Sequence, residues 1–322
     1  MKTIVAHAGF GFTDAQRQAL AALAGALGME LLELPEGCRD AALVRSCQIM
    51  AGMFEPELLE AAPELRWFHS SWAGVEKFVR LKPFQAGHAI LTNSAGAYNT
   101  MIAEHLLAGC LILLHNYPAY HDAQRAHRWL APIPAGSLFA KRVTVLGAGN
   151  TGGAFARAAS ALGASVTGFV SSPREKPAWM HALYASFDAL AEVLPQTDIL
   201  VMCLPHTPKT AGLIGARELA LLPKGALVLN SGRGQTLNQQ ALCAALESGH
   251  LAGAMLDVFP EEPLPPQSPL WDAPGLLITP HVAGFEGDDL NRQRIFEIFT
   301  ENLKAWAEGR PLSNVVDPTR GF

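Results

Sequence analysis

The sequence has few charged residues, no excess of basic ones and no clustered cysteines. Asp, Glu, Lys and Arg make up 16% of the 322 residues, and the formal net charge is −5. A protein that binds nucleic acid needs a basic face to neutralise phosphates, so this charge balance argues against a nucleic-acid partner. The five cysteines are scattered and form no CxxC pair. This spacing indicates reduced thiols, and it supports neither a disulfide framework nor a zinc site.

Long apolar runs and low-complexity tracts are also missing. The most apolar segment, residues 101–114, contains Glu104 and His105 and is too short to span a bilayer. The first residues combine one Lys with a short apolar run, which predicts a strand and not a secretory signal. We therefore expect a globular, cytoplasmic protein with no membrane partner.

Apolar runs alternate with Ala- and Leu-rich stretches along the chain, a pattern typical of parallel α/β proteins. Strands are predicted at residues 3–8, 30–34, 48–51, 65–69, 90–92, 141–146, 165–170, 199–203, 226–230, 251–256 and 276–279. Helices are predicted at residues 13–27, 100–115, 153–162 and 288–308. Because 322 residues exceed the usual size of a single core, two domains are expected.

The last predicted helix is long and amphipathic, and Gly309, Arg310 and Pro311 end it. A helix of that length after the final strand could return to the first domain. We therefore predict discontinuous boundaries, with residues 1–97 plus 287–322 in one domain and residues 98–286 in the other.

A glycine-rich motif, GAGNTG, directly follows a predicted strand and opens a predicted helix. Gly147 permits the tight turn, Gly149 lets backbone amides approach a pyrophosphate, and Gly152 lets the helix pack on the strand. Asn150 and Thr151 lie between these glycines, just before the predicted helix, whose N-terminal dipole favours an anion. In this context the motif predicts a Rossmann-like dinucleotide-binding domain, although a plain glycine turn would show the same letters.

The end of the next strand bears on which nicotinamide cofactor binds. NAD sites usually have Asp or Glu there, about 20 residues after the glycines, to bind the ribose diol. This segment has no carboxylate and contains Ser171, Ser172 and Arg174 instead. Two hydroxyls and a guanidinium can bind a 2′-phosphate, so NADP(H) is favoured and NAD(H) stays possible. The alternative is that Arg174 is a solvated loop charge.

Three polar residues, Arg233, Glu262 and His281, each follow a predicted strand of the second domain. The carboxyl ends of parallel strands meet at one edge of a sheet, so these side chains are expected to lie close together. Taken singly, a His after a strand is more often a loop residue, and an Arg between glycines is often a turn charge. Their joint occurrence after a dinucleotide motif favours a catalytic site.

These three side chains suit the reduction of a carbonyl next to a carboxylate. Hydride arriving at the keto carbon leaves negative charge on oxygen, and His281 is a natural proton donor near neutral pH. A carboxylate such as Glu262 beside the imidazole would stabilise its protonated form. Arg233 can bind the substrate carboxylate and polarise the carbonyl, giving orientation as well as charge.

Over nearly its whole length the chain resembles the D-isomer-specific 2-hydroxyacid dehydrogenases. NSGRG resembles the Arg motif of that family, DVFPEEPLP its Glu motif and PHVAG its His motif. DVFPEEPLPPQSPLW and the ending at residues 316–322 are similar to the short glyoxylate/hydroxypyruvate reductase branch, which tends to use NADPH. Two departures are Trp72, where many members have Gly, and Ser171, near the place where that branch has Arg.

The resemblance implies two doubly wound domains with parallel sheets: a flavodoxin-like substrate-binding domain and a Rossmann domain. It implies reduction of small 2-keto acids to 2-hydroxy acids, with Arg233 binding the substrate carboxylate, Glu262 as partner carboxylate and His281 as acid/base. It implies that the substrate also contacts the backbone of Trp72, Ala73, Gly74 and Val75. The implied cofactor site adds Leu204, Pro205, Pro208, Ser231, Asp257, His281 and Gly284, with residues 102–105 bordering it.

Other interpretations stay open at this stage. A non-catalytic nucleotide-sensing module, similar to certain transcriptional corepressors, would keep the same fold, and a D-lactate or phosphoglycerate-type dehydrogenase would keep the same residues. A metal-dependent hydrolase is disfavoured, because His115, His121 and His127 are six residues apart and would face different sides of a helix. A homodimer is a family expectation, with residues 117–130, including Trp129, as a candidate arm.

Overall fold

The computed structural model describes residues 3–285 and 287–319 of the chain. The chain divides into two compact units. The first unit contains Met1–Tyr98 and Phe285–Phe322, and the second contains Asn99–Gly284. The sequence placed these divisions at 97/98 and 286/287. Residues 320–322, at the end of the reductase-like C-terminal segment, lie outside the described residues.

Strands and helices are numbered along the chain. The strands are β1 (Ile4–Ala8), β2 (Glu30–Glu33), β3 (Ile49–Gly52), β4 (Trp67–Ser70), β5 (Ile90–Asn93), β6 (Arg142–Leu146), β7 (Ser165–Phe169), β8 (Ala182–Tyr184), β9 (Ile199–Met202), β10 (Ala226–Asn230), β11 (Leu251–Leu256) and β12 (Leu276–Ile278). The helices are α1 (Asp14–Ala26), α2 (Ala41–Val44), α3 (Pro56–Glu60), α4 (Lys82–Gln85), α5 (Asn99–Leu114), α6 (Tyr117–Arg125), α7 (Asn150–Ala161), α8 (Leu190–Val193), α9 (Ala216–Leu221), α10 (Gln239–Glu247) and α11 (Asp289–Ala307).

The first unit is built on a five-stranded parallel sheet in the order β2-β1-β3-β4-β5. This is the order of flavodoxin-like folds, in which ligands bind beyond the carboxyl ends of the strands. The central strands β3 and β4 are buried along their whole length, as expected for a sheet covered on both faces. Helix α1 begins at a capping box in which Thr13 Oγ1 accepts from Gln16 N.

Helix α11, although last in the sequence, packs in the first unit. Asp288 caps it by accepting from the amides of the first turn. Phe299 of this helix is fully buried, with its ring centroid 5.8 Å from Trp67 of β4 and 5.3 Å from His69. These aromatic contacts pack the helix against the face of the sheet on which the Trp67 and His69 side chains lie.

The second unit is built on a seven-stranded parallel sheet in the order β12-β11-β10-β9-β6-β7-β8. Apart from the additional edge strand β12, this is the doubly wound arrangement with a switch point between β6 and β9, on either side of which the connections run in opposite directions. The predicted α/β class with two parallel-sheet, Rossmann-like domains is therefore confirmed. The candidate functional loops of this second unit follow the carboxyl ends of β6, β7, β9, β10, β11 and β12.

Some elements differ from the sequence-based expectation. Helix α7 begins at Asn150, three residues before the predicted start, because the glycine-rich motif itself supplies the first turn. Strand β8 was not predicted, since it has only three residues and none is buried. His115 follows α5, His121 lies in α6 and His127 follows α6, so the assumption that they share one helix was wrong.

Within residues 3–285 and 287–319, no helix combines the length and the apolar character needed to cross a membrane. The same part of the chain contains no group of three or more His, Cys, Asp or Glu side chains arranged to hold a metal ion.

Candidate active site

The glycine-rich loop joins β6 to α7, and two of its glycines are required by close contacts. Gly147 has φ +84°, and a Cβ there would lie 2.5 Å from Cys203 O. A Cβ on Gly152 would lie 2.3 Å from Gly147 O. Real Cβ atoms do not approach backbone oxygens so closely, so only glycine permits both the tight turn and the packing of α7 against β6.

Gly149 serves a different purpose, because a Cβ there would meet nothing within 4 Å. It is the N-cap of α7, and no side chain caps this helix. Gly153 N donates to Gly149 O, but the amides of Asn150, Thr151 and Gly152 have no acceptor within the described residues. Open space beside uncapped helix donors is what a pyrophosphate requires, so these residues fit a nicotinamide dinucleotide.

Arg174, on the loop after β7, lies against the glycine-rich loop. Its guanidinium donates to the carbonyl oxygen of Ala148, within the motif. Ser171 and Ser172 precede it on the same exposed loop. Since β7 is the neighbour of β6, a cation and two hydroxyls lie at the strand end where dinucleotide folds contact the adenosine ribose.

Arg233 lies in the loop after β10, and this loop packs against the backbone of two other loops. A Cβ on Gly232 would lie 2.5 Å from Leu204 N, in the loop after β9. A Cβ on Gly234 would lie 2.1 Å from the carbonyl carbon of Phe259, in the loop after β11. The two glycines beside Arg233 are therefore what allows three loops to meet, a function that the sequence motif alone did not reveal.

The backbone of Arg233 is also fixed by side chains. Arg233 O accepts from Thr236 Oγ1 at 2.7 Å and from Asn230 Nδ2 at 3.2 Å. Asn230 Oδ1 in turn accepts from Gly232 N at 3.0 Å. Nη1 of the half-buried Arg233 donates to Gly232 O at 2.8 Å. The guanidinium is thus carried on a rigid loop, which is the requirement for orienting an anion.

Glu262 and His281 form a direct pair. His281 Nδ1 lies 2.7 Å from Glu262 Oε2, and Glu262 Oε1 accepts from Phe259 N at 2.8 Å. Both carboxylate oxygens are used, which fixes the carboxylate and, through it, the imidazole ring. Nε2 of His281 lies on the opposite side of the ring, and the side chain is 49% exposed, so Nε2 can reach a bound molecule.

Asp257 supports the loop that carries His281. Its side chain is 1% exposed and accepts from Thr279 Oγ1 at 2.6 Å, Val282 N at 2.9 Å and Ala283 N at 3.0 Å. Its carbonyl oxygen accepts from His281 N at 2.8 Å. The sequence predicted Asp257 as a cofactor contact, and that stays a prediction. In the structure, the contacts of Asp257 form a support that fixes the backbone on both sides of His281.

His105 of α5 reaches the same support from another part of the second unit. Its Nε2 lies 3.1 Å from Thr279 Oγ1 and 3.7 Å from Asp257 Oδ1. The two residues Thr279 and His105 are 174 positions apart in the sequence. The predicted border segment, residues 102–105, therefore contributes a contact with the Asp257 support.

The loop after β9 contains Cys203 and the predicted cofactor residues Leu204, Pro205 and Pro208. Thr210 Oγ1 donates to Pro205 O at 2.6 Å and accepts from Thr207 N at 2.9 Å, which closes the loop on itself. Burial raises the pKa of the Cys203 thiol to about 12, with Ser231 Oγ 3.8 Å from the sulfur opposing the shift. This thiol stays protonated near neutral pH, so it is not a nucleophile.

The loop after β4 in the first unit holds the predicted substrate-binding segment. Trp72 is half-buried, and Lys77 Nζ lies 5.6 Å from the centroid of its ring. The amides of Ala73, Gly74 and Val75 have no acceptor within the part of the chain that the structure describes. A cation over the indole and three successive amide donors make this loop suited to an anion.

Within the second unit, the structure joins Glu262 to His281 directly and places the Arg233 loop against the loops of Leu204 and Phe259. Sequence reasoning missed Thr279, Asn230 and Thr236, which position these groups, and it placed His105 only within the segment that borders the cofactor site. A signal was available for Asn230, since it ends a buried strand and begins the Arg motif. No sequence signal linked His105 to Thr279.

Comparison with known proteins identifies relatives of this arrangement. The family model for the NAD binding domain of D-isomer specific 2-hydroxyacid dehydrogenases matches residues 107–283. The glyoxylate/hydroxypyruvate reductase A of Klebsiella pneumoniae (strain 342) is 34% identical over 219 residues, which are 68% of this chain and 68% of that protein. The chain also matches D-3-phosphoglycerate dehydrogenases of Mycobacterium, at 32% identity, but spans only about half (48%) of their length.

Two solved structures are similar over the whole chain. A D-isomer specific 2-hydroxyacid dehydrogenase from Xanthobacter autotrophicus Py2, in complex with NADPH and MES, has a TM-score of 0.83 at 30% identity, covering 100% of this chain and 99% of that one. An NADPH-dependent glyoxylate/hydroxypyruvate reductase from Sinorhizobium meliloti, in complex with NADP and sulfate, has a TM-score of 0.80 at 28% identity, covering 100% of both chains.

Proposed function

We propose that this chain, which belongs to the D-isomer specific 2-hydroxyacid dehydrogenase family, reduces small 2-keto acids to 2-hydroxy acids with a nicotinamide cofactor. Glyoxylate and hydroxypyruvate are the substrates that we expect, as in the named reductases. The observation that supports the reaction most strongly is the bond between His281 Nδ1 and Glu262 Oε2, on the same set of strand ends as Arg233.

The proposed mechanism divides the work among these residues. The glycine-rich loop would hold the pyrophosphate of a nicotinamide dinucleotide, and that cofactor would supply the hydride for the reduction. Arg233 binds the substrate carboxylate and holds the carbonyl in position, so its loop must be rigid. His281 Nε2 donates the proton that completes the alcohol, while Glu262 stabilises the imidazolium and Asp257 holds the loop. In the first unit, the amides of Ala73, Gly74 and Val75 are the proposed donors to a carboxylate.

NADP(H) is the proposed cofactor, with NAD(H) as the weaker one. Arg174 bonds to Ala148 of the glycine-rich loop, so its charge lies where a 2′-phosphate would need it. Residues 170–174, directly after β7, contain no carboxylate to repel that phosphate. The two similar solved structures contain NADPH and NADP, which is consistent with this choice.

A homodimer and a cytoplasmic location are also proposed. Trp129 is 101% exposed and Tyr117 is 62% exposed, and both belong to the predicted arm; Phe139, further along the chain, is 71% exposed. A second copy of the chain would bury this apolar surface. Five free cysteines fit a reducing compartment. Light scattering should give twice the 34.4 kDa of one chain, and Trp129→Glu should give one chain, whereas Trp271→Glu should not change the mass.

The reaction is tested by initial rates with glyoxylate, hydroxypyruvate, pyruvate and phosphohydroxypyruvate, each with NADPH and with NADH. We expect the first two acids to be reduced fastest, and Arg233→Ala to raise KM and lower kcat for both. Efficient turnover of phosphohydroxypyruvate alone would assign the chain to the phosphoglycerate type. Binding of NADPH without oxidation of it by any acid would favour the nucleotide-sensing module.

A further inference from the structure

The substrate loop, which follows β4 and contains the predicted substrate-binding residues 72–75, is held in place by hydrogen bonds to its carbonyl oxygens. Residues 70–73 have four consecutive carbonyl groups that accept hydrogen bonds, and every donor lies within the segment 93–98. The four bonds run from Ser94 Oγ to Ser70 O (3.0 Å), from Tyr98 Oη to Ser71 O (2.7 Å), from Ser94 N to Trp72 O (3.2 Å) and from Asn93 Nδ2 to Ala73 O (2.8 Å).

The hydrogen bonds to these carbonyl groups also fix the direction of the amide groups in the same peptide planes. In a planar trans peptide the N–H of one residue points opposite to the C=O of the residue before it. Because Trp72 O and Ala73 O face the segment 93–98, the amides of Ala73 and Gly74 must point away from it. Trp72 N is already used, since it donates to Ser70 Oγ at 3.2 Å. The two amides with fixed direction are therefore those of Ala73 and Gly74.

A buried chain of hydrogen bonds leads to this segment through His69. Trp67 Nε1 donates to Thr92 Oγ1 at 2.8 Å, and Thr92 Oγ1 lies 2.8 Å from His69 Nδ1. His69 Nε2 lies 3.3 Å from Ser94 Oγ, which donates to the Ser70 carbonyl. Since Trp67 can only donate and a carbonyl can only accept, the chain is complete when the Thr92 hydroxyl donates to Nδ1 and His69 donates from Nε2.

The segment 93–98 is itself held from outside the sheet. Asn314 Nδ2 donates to Asn93 O at 3.1 Å and to Ala95 O at 2.8 Å, and Asn93 N donates to Asn314 O at 3.3 Å. Asn93 Oδ1 also accepts from Ala95 N at 3.1 Å. The donors that fix the substrate loop are therefore not free to move with it.

We propose that Asn93 and Tyr98 are positioning residues for substrate: they fix the carbonyl side of residues 71–73, so that the amides of Ala73 and Gly74 keep the direction in which they bind the substrate carboxylate. This rests on the proposed function for its ligand. Neither side chain touches the substrate. Through its bond to Ala73 O, Asn93 fixes the peptide plane that carries the Gly74 amide. Through its bond to Ser71 O, Tyr98 fixes the peptide plane between Ser71 and Trp72, earlier in the same loop.

The decisive variant is Asn93→Ala, which removes the donor to Ala73 O. We expect the KM for glyoxylate to rise about three- to tenfold, the effect of one hydrogen bond, while kcat changes less than about twofold. The Kd of oxamate, an unreactive carboxylate, should rise in parallel in the presence of NADPH. The Kd of NADPH should not change. Glyoxylamide, which has the carbonyl but no carboxylate, should keep its wild-type KM.

A second variant covers the case in which Asn93→Ala does not fold. Tyr98→Phe removes only the hydroxyl that donates to Ser71 O, and the same split between glyoxylate and glyoxylamide is expected, with a smaller size. Tyr184→Phe is the matched control, because its ring stacks on Phe169 in β7 and its hydroxyl makes no hydrogen bond within the described residues. It should leave both constants as in the wild type.

The outcomes separate this proposal from the proposed function. Equal rises for glyoxylate and glyoxylamide would show a general loss of structure and overturn the positioning role. Unchanged oxamate binding in Asn93→Ala would overturn it as well, even in an active reductase. If the wild type reduced no keto acid yet bound oxamate, and Asn93→Ala weakened that binding, the positioning role would stand and the proposed function would fail.

Discussion

His281 Nδ1 lies 2.7 Å from Glu262 Oε2, and His281 itself has φ +55°, in the left-handed region that residues other than glycine rarely adopt. The unusual backbone is held by Asp257, which accepts from the amides of Val282 and Ala283 and, through its carbonyl oxygen, from His281 N. The chain thus fixes both the position and the orientation of this imidazole. Such local strain, maintained by surrounding bonds, is typical of functional sites.

Removing the charge of Glu262 should slow the reaction without weakening cofactor binding. Glu262→Gln keeps the shape of the side chain but no longer stabilises an imidazolium at His281. We expect kcat to fall about 10- to 100-fold, and His281→Ala to lower it about 10²- to 10⁴-fold, the usual range for a general acid. The neighbouring and exposed Glu261→Gln is the control. A Glu262→Gln enzyme with wild-type kcat would contradict the role given to this pair.

Two glycines of the glycine-rich loop should differ in their response to substitution by Ala: Gly149→Ala should affect cofactor affinity, and Gly152→Ala should affect stability. Gly149→Ala places its Cβ in open space, so the thermal midpoint should stay close to the wild type while the Kd of NADPH rises at least about tenfold. Gly152→Ala places its Cβ 2.3 Å from Gly147 O and should lower the thermal midpoint by several degrees. Calorimetry and NADPH fluorescence measure the two effects. A strong loss of stability in Gly149→Ala with unchanged affinity would argue against a pyrophosphate at this loop.

Arg174 should decide the preference between the two nicotinamide cofactors. In Arg174→Ala the KM for NADPH is expected to rise about ten- to a hundredfold, the size of a charge-assisted hydrogen bond, while the KM for NADH stays within about twofold. Arg157→Ala, which removes an exposed cation from α7, is the control. Equal effects on both cofactors would mean that Arg174 supports the glycine-rich loop and does not select the 2′-phosphate.

The fold should lose stability as the pH falls below about 6.5, because two buried histidines resist protonation. Burial lowers the pKa of His69 to about 3. Burial is also the main cause that lowers the pKa of His7, which nearby Arg17 lowers further and Glu33 opposes. An unfolded histidine has a pKa near 6.5, so between that value and the folded pKa the unfolded chain binds more protons. Stability is then fully present above about pH 6.5 and decreases as the pH falls.

Urea unfolding at pH 6 and pH 5 measures this effect above the range in which carboxylates titrate. His69 alone should contribute a loss approaching 1.4 kcal/mol of unfolding free energy per pH unit. His69→Gln offers one donor and one acceptor but no titration, so its loss between the two pH values should be smaller by about that amount. A wild type whose stability does not change between pH 6 and pH 5 would contradict the buried, neutral state of His69.

Much of this site could be predicted from the sequence because it depends on local patterns. The sequence shows the GAGNTG motif directly after one predicted strand. It also shows Arg233, Glu262 and His281 in the segments that follow three further predicted strands. The parallel-sheet rule then predicts that such ends share one edge. The interpretation of Gly147 and Gly152 also followed from the motif, and the contacts of Cys203 O and Gly147 O give it a physical cause.

The supporting contacts could not be predicted in the same way, since they join residues that are distant in sequence. His105 and Thr279 meet only because α5 packs beside the sheet of the second unit. The four carbonyl bonds of residues 70–73 depend on the course of the chain after β5, where Asn93, Ser94 and Tyr98 show no periodic signal. Asp257 was expected to contact the cofactor because its motif resembles that of the family, whereas its burial became evident only from the fold.

The most direct measurement is the fate of the hydride in a single reaction. Purified protein is mixed with hydroxypyruvate and NADPH that carries deuterium at the transferred position of the nicotinamide C4, and the product is analysed by mass spectrometry and chiral chromatography. If the protein transfers this hydride to the keto carbon, we expect D-glycerate with one deuterium at C2 for each NADPH oxidised. Bound NADPH that is never oxidised, or glycerate without deuterium, would contradict the reductase assignment.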